Sequence, residues 1–301
     1  MSLTFKQVRY FIAAAETGQI SHAAMEMNIS QSAVTAAIQQ LEAQLGVTLL
    51  DRTPAGVRPT IEGARFLNHA RNIAAAVEDA VNSPLGEGRA ITGTLRVAMT
   101  YTVAGYFMAR HYSRFRRAYP DIEIEMVELP RGEIEKGIVS GQVDIAVMLV
   151  SNLANQDEID QETLFRSRRR LWLPADHHLL TADEVTLADV AAEPYVMLTV
   201  DEARVTAGRY WEKAGLTPNV IFATSSVEAV RSLVAAGTGV TILSDMVYRP
   251  WSLEGQRIDL RALVDPVPSM DVGLAWSRKR PHSHPASIFR AFMSVALGGG
   301  G

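Results

Sequence analysis

The chain of 301 residues contains no cysteine. Disulfides, thiolate metal sites and thiol catalysis are therefore excluded, and a reducing compartment is the natural setting. No stretch reaches eighteen consecutive apolar residues, so no transmembrane span is predicted. The opening MSLTFKQVRYFIAAAETG lacks the apolar core and cleavage site of a secretory leader. The expected location is cytoplasmic, with no membrane partner. Excess positive charge is missing too. The net charge is −4, and in the first sixty residues Lys6, Arg9, Arg52 and Arg58 are balanced by Glu16, Glu26, Glu42 and Asp51. The basic footprint of a nucleic-acid binder is absent, so any such role must come from geometry.

Catalytic constellations are missing in the same way. His177-His178 follow a Pro-Ala-Asp turn and read as loop residues, and no H-x-x-x-H spacing occurs. Gly86-x-Gly88 lacks the third glycine and the preceding strand of a dinucleotide loop. Neither an enzyme nor a bound metal or cofactor is expected. A composition of 48% hydrophobic and 21% charged residues is nonetheless that of a folded chain with ample core, and its length suits two or three domains.

What is present begins with Thr4-Phe5-Lys6-Gln7, a capping box that opens a helix with Phe5, Val8, Ile12 and Ala15 as its buried stripe. Ser21 is predicted to cap a short second helix burying Ala24 and Met27. Ser30 is predicted to cap a third, which Gly46 stops. In that third helix Val34, Ile38, Leu41 and Leu45 fall on one stripe. The opposite face carries Ser32, Thr35, Ala36, Gln39 and Ala43, all small or amide-bearing and none charged. A short hairpin follows, turning at Thr53-Pro54-Ala55-Gly56. Two helices joined by a tight turn, the second with a small neutral face, are the working parts of a winged helix-turn-helix. Gln39 suits an adenine edge, Thr35 and Ala36 suit thymine methyls, and Gln31 and Ser32 suit phosphates or bases near the helix start. Arg52 and Arg58 flank the wing turn, within reach of a DNA backbone. The same face also fits packing against another subunit in a plain helical bundle.

Thr60 is predicted to cap a helix to about Asn82, with Leu67, Ala70, Ala74, Val77 and Val81 along one side. No neighbouring element covers that stripe, which implies a partner helix. Pro84-Leu85-Gly86-Glu87-Gly88 reads as a linker. From Ile91 the pattern becomes an alternating β/α series with parallel sheets, from TLRVAMT through IEIEMVEL, VDIAVMLV, LWLP, YVMLT, NVIFAT and GVTILS to VGLAWS and a closing helix. The tail at 298–301 reads as disordered.

These stretches, in this order and spacing, resemble the LysR-type transcriptional regulators. The resemblance is carried by FIAAAETGQISHAAMEMNISQSAVTAAIQQLEAQLGVTLLDRTPAGVRPTIEGARFL, LRVAMT, GQVDIAVML and VEAVRSLVAAGTGVTIL. One departure is Ser32, where members often have proline. The resemblance implies an α+β chain with a winged helix-turn-helix at 1–59, a dimerisation helix and hinge at 60–90, and a two-lobed effector domain of periplasmic-binding-protein type at 91–301. The lobes are expected at 91–161 plus 268–301 and at 162–267. It implies promoter double-stranded DNA, a second copy of the chain in dimers or tetramers, and a small-molecule effector as partners. RNA polymerase is a further candidate.

An effector is expected between the lobes, outside the strand ends. Thr100, Tyr101 and Thr102 lie at a common effector-contact position of the family. Thr199 ends a strand facing the cleft, Thr224 precedes the next helix, and Arg131 ends the second strand. Ser225 with Glu228 reads as a capping box, and Asp201 as the N-cap of its own helix. Alternation in Arg166-Ser167-Arg168-Arg169-Arg170 places Arg168 and Arg170 on one face and Arg169 on the other. Whether the first pair faces the cleft stays open. An enzyme or an uptake receptor on the same scaffold are the competing readings, and neither finds its residues.

Overall fold

Thr4 and Gln7 satisfy each other's backbone N–H groups and so start α1 (Phe5–Thr17) as the sequence predicts. The computed structural model describes residues 3–53, 56–82 and 91–297. α1 buries Val8, Phe11 and Ala14, while Phe5 stays exposed. α2 (Ile20–Glu26) begins two residues earlier than a Ser21 cap would set it. Its N-cap is Gln19, which makes no side-chain cap bond, and Met27 is only half-buried. In α3 (Gln31–Leu45) Ser30 Oγ accepts from the Ala33 N–H, and Gly46, with φ +71°, ends the helix in the left-handed conformation. Val34, Ile38 and Leu41 are buried against α1 and α2. Leu45, on the last turn beside Gly46, is 40% exposed.

β1 (Leu50–Thr53) and β2 (Gly56–Pro59) pair antiparallel as the wing. The turn residues Pro54 and Ala55 lie outside the described residues. Thr60 Oγ1 accepts from the Gly63 N–H at 2.8 Å and opens α4 (Ile61–Asn82). A Cβ at Gly63 would collide with the Leu49 carbonyl, so only glycine lets α4 pass this close.

The predicted stripe of α4 divides. Ala70 is fully buried in the winged core and Leu67 packs against it, with Phe66 tilted on Phe11 at 5.3 Å between rings. Those two residues therefore cover their own domain and not a partner helix. Ala74 is half-buried, and Ile73 and Val77 are exposed. The side chain of Val81, the linker at 84–88 and the tail at 298–301 lie outside the described residues. The segment Arg249–Ile258 belongs to this same unit. Arg257 Nη1 donates to the Gly18 carbonyl at 3.0 Å, an oxygen that also accepts from the Val57 N–H.

The described residues of the second unit form a five-stranded, a three-stranded and a two-stranded sheet. β3 (Gly93–Met99), β4 (Ile122–Glu128) and β5 (Ile145–Leu149) run parallel. They are joined through α5 (Tyr101–Val103), a π-helical turn (Ala104–Met108), α6 (Ala109–Ala118) and α7 (Arg131–Ser140). β6 (Ile159–Ser167) follows. β7 (Arg169–Pro174), α8 (Leu187–Ala191), β8 (Pro194–Leu198), α9 (Ala203–Lys213), β9 (Asn219–Thr224), α10 (Val227–Ala235), β10 (Thr241–Ser244) and β11 (Ile258–Arg261) build the second lobe. β12 (Met270–Ser277) and α11 (His284–Leu297) return to the first.

The first sheet has the order β4-β3-β5-β12-β6, with β12 antiparallel to both neighbours. Its faces are closed by Phe115, Phe289 and Met293 on one side and Ile134, Ile138 and Met148 on the other. In the second lobe β10-β7-β11 and β8-β9 are joined where Tyr195 bridges Val240, over Trp211, Tyr210 and Leu173.

The expected lobe boundary at 161/162 falls inside β6, which pairs with β12 as far as Ser167. β6 is an edge strand with a largely polar exposed side, so its sequence shows no apolar run. Only Arg168 separates it from β7, and Ser167 Oγ accepts there from the Met246 N–H at 2.9 Å.

Candidate functional site

On α3, Ser32, Ala36, Gln39 and Ala43 are exposed and Thr35 is half-buried, opposite the Val34–Ile38–Leu41 stripe. Gln31 is exposed on the first turn. The face is neutral because Glu42, the helix's one acid, turns toward the wing. Its Oε1 accepts from the Leu49 and Leu50 N–H groups at 2.7 and 3.1 Å. Ser32 Oγ lies 3.0 Å from Ser30 Oγ, so its hydroxyl also supports the cap. Arg52 and Arg58 are exposed on the two wing strands. Arg58 pairs with Asp51 at 3.6 Å across the ladder, a solvated contact worth little by itself. The surface thus offers a neutral helix face of small groups and, on the wing strands, two exposed arginines.

The second candidate lies between the lobes of the second unit. A cavity of 390 Å³ is lined by Tyr101, Glu128 to Arg131, Val200 to Glu202, Ser225 and Ser226. Tyr101 and Arg131 are thus where the sequence places them. Thr102 is buried, and its N–H donates to Asp201 Oδ2 at 2.6 Å. Thr100 is buried, with no hydrogen-bond partner for its hydroxyl among the described residues. Thr199 contributes its N–H to the Thr224 carbonyl, and Thr224 Oγ1 accepts from the Ser226 N–H. Neither Thr199 nor Thr224 lines the cavity. Both close the strand ends behind it.

Three further residues of its lining, Asp201, Glu202 and Ser225, are not among those the sequence assigned to the cleft. Asp201 does not cap its own helix. It crosses to the first lobe, held by the Thr102 N–H and by Asn152 Nδ2 donating to its carbonyl at 3.1 Å. Asp201 and Glu202 both have positive φ, 49° and 58°, which strains two non-glycine residues in succession. Glu202 accepts from Arg131 Nε at 3.2 Å, and Glu135 from Arg131 Nη1 at 2.9 Å. Burial works against the Arg131 charge, but the two carboxylates outweigh it and hold its pKa above the usual guanidinium value. The third is Ser225. The N-cap of α10 is Ser226, whose Oγ accepts from the Ala229 N–H, so Ser225 is left exposed at the cavity. Glu228 is not part of a capping box. It accepts from the Tyr106 hydroxyl at 2.9 Å. Burial first, then Glu228, pushes Tyr106 up to about 12.

Residues 88–297 match the family described as LysR substrate binding domain. Residues 5–64 match the bacterial regulatory helix-turn-helix protein, lysR family. The chain belongs to the LysR family of transcriptional regulators. The Escherichia coli K12 protein YnfL, an uncharacterized HTH-type transcriptional regulator, is 32% identical over 99% of this chain and all of its own. OxyR of the same strain, a DNA-binding transcriptional dual regulator, is 25% identical over 93% of this chain and 91% of its own. Among solved structures, PA01 of Pseudomonas aeruginosa, a LysR-family protein, superposes with a TM-score of 0.64 at 29% identity. That match covers 99% of this chain and 100% of the other. CbnR bound to its target DNA shares the fold, with a TM-score of 0.55 at 21% identity over 98% of this chain and 100% of its own.

In this LysR-family regulator the arginine run lies away from the cleft. Arg166 pairs with Asp271 at 3.3 Å, Arg169 donates to the Ser269 carbonyl at 2.8 Å, and Arg170 pairs with Asp245 at 2.7 Å. Arg168 is exposed at the break between β6 and β7, so one strand alternation does not run through all five residues. His177 and His178, read as loop residues, are the N-cap and first residue of a 3-10 turn (His178–Leu180); they stack on each other and face Glu193, bringing three possible metal-binding groups within 4.8 Å. His177 Nδ1 accepts from the Leu179 N–H, which puts its proton on Nε2, toward Glu193. With its proton there His177 Nε2 has no free lone pair, and Glu193 lies 3.6 Å from it and 3.3 Å from His178 Nε2. No helix is long and apolar enough to cross a membrane among the described residues.

Proposed function

We propose that the regulator reads promoter DNA with the outward face of α3 and that a small molecule in the lobe cleft changes how it does so. The observation that carries the first part is the neutral face of α3 opposite the buried Val34, Ile38 and Leu41. Gln31, Ser32, Thr35, Ala36 and Gln39 are its base-facing and phosphate-facing groups, and Arg52 and Arg58 hold the wing on the backbone. The cavity at Tyr101 and Arg131 supports the second part, since it lies between lobes of a substrate-binding domain. Effector binding shifts the balance between lobe arrangements, and the spacing of the winged domains on DNA follows.

Self-association belongs to the same reading. Ile73 and Val77 are exposed on α4. The edge strands β4 and β9 expose Met126, Val127, Val220, Ile221 and Phe222. Unpaired apolar edges of this kind favour a partner copy. Sedimentation of Val127→Lys and Ile221→Lys variants checks this, with a smaller particle than wild type expected. The principal test is a mobility-shift titration on the DNA immediately upstream of the regulator's own gene, against random competitor, followed by a genome-wide pull-down. Specific retention is expected. Failure of both experiments would return the α3 face to a packing role.

A further inference from the structure

We propose that the effector of the cleft carries a protonated amine or amidine, seated between Glu128 and Asp201. The inference rests on the reading of this cleft as the effector site, and it names the class of molecule the site takes.

The cavity's uncharged walls are Tyr101, Leu129, Pro130 and Val200, while its charged lining is Glu128, Asp201 and Glu202 against Arg131 alone. Arg131 is already engaged twice, by Glu135 and Glu202. Asp201 receives backbone and no cation, and Glu128 has no ion-pair partner among the described residues. Two carboxylates without a cation partner among the described residues thus line a cleft between lobes, Glu128 exposed and Asp201 half-buried, and their fields add there.

The place an anionic effector would take is filled. Backbone N–H groups at a helix start are the natural seat for a ligand carboxylate. Here Asp201 Oδ2 sits on the Thr102 N–H at 2.6 Å, so the protein supplies its own anion. A carboxylate ligand would have to displace Asp201 and then lie among three acids. A cation meets neither obstacle. It also joins the lobes, because Glu128 ends β4 of the first lobe and Asp201 precedes α9 of the second.

The test uses the full-length regulator with putrescine and agmatine as probes and succinate as the anionic control, read by calorimetry and thermal shift. Glu128→Gln and Asp201→Asn remove the charges, and Ser225→Trp fills the cavity. Binding of either amine is expected, weakened about tenfold by each charge-removing variant, the size of one lost charge-assisted contact, and abolished by Ser225→Trp. Succinate binding that Ser225→Trp abolishes would overturn the cationic class while upholding the cleft as the effector site. Amine binding that Ser225→Trp leaves unchanged would overturn both. No response to either amine at millimolar concentration would overturn the cationic class.

Discussion

Two helix starts in this molecule are capped from opposite distances. Ser30 caps α3 from the adjacent position, through the Ala33 N–H. Asp201 caps the helical run that opens at Tyr101 from 99 residues away, through the Thr102 N–H. A local cap is complete as soon as its own turn forms, so the face of α3 is ready before anything binds it. A remote cap exists only while two lobes hold a particular arrangement. The first tie is local to one helix, and the second joins two parts of the domain far apart in sequence.

The difference can be broken most strongly in the winged unit. Ile38→Ala should cost roughly 2–5 kcal/mol by emptying a site under the neutral face, and only the winged unit's melting transition should move. Calorimetry that showed the winged unit's transition unmoved would remove Ile38 from its core. Gln39→Ala should weaken specific DNA binding by about 1–3 kcal/mol and leave non-specific binding nearly intact. Equal losses on operator and random DNA would remove Gln39 from the reading surface.

Acid sharpens the comparison from the other side. His111, buried in the second unit beside Phe107, is held down to about 3 by burial and by Arg110 and Arg114. It stays neutral when folded but binds a proton in the unfolded chain below 6.5. Stability is therefore lost as pH falls through that window, by up to roughly 1.4 kcal/mol per pH unit. His22 and His69 of the winged unit are not buried. Denaturant titrations from neutral to acid pH should show a slope in the second unit that His111→Phe flattens. An unchanged slope in that variant would assign it to other groups. The smallest expected effects are those of the caps themselves, about 1 kcal/mol each for Ser30→Ala and Asp201→Ala. Hydrogen exchange should report the first loss within α3 alone and the second in both lobes. Confinement of the Asp201→Ala effect to one lobe would make that cap a local matter as well.

This contrast in distance also explains what could be read from the sequence. The Thr4–Gln7 box, the Ser30 cap, the Gly46 stop and the Thr60 start are set by residues within a turn of each other, and all are found in place. The stripe of α3 followed from periodicity. Tyr101 and Arg131 were found at the cavity because each stands where a strand gives way to a helix. Asp201 and Ser225 were misread because their local signals point to caps, and Glu202 was not singled out at all. Two left-handed residues turn Asp201 away from α9, and a one-residue shift gives the cap of α10 to Ser226. The division of the α4 stripe was hidden because it depends on how closely Gly63 lets the helix approach Leu49. β6 was missed because a polar edge strand carries little hydrophobic pattern.

The single residue between β6 and β7 has a mechanical meaning. Arg168 is all the chain that passes from one sheet to the other at that crossing, and its carbonyl accepts from the Asp245 N–H at 2.9 Å. A link of one residue leaves no slack for translation, since consecutive Cα atoms are about 3.8 Å apart. At this crossing the two sheets are pinned to each other within one residue's length, and any difference in their mutual arrangement has to be a turn about that point.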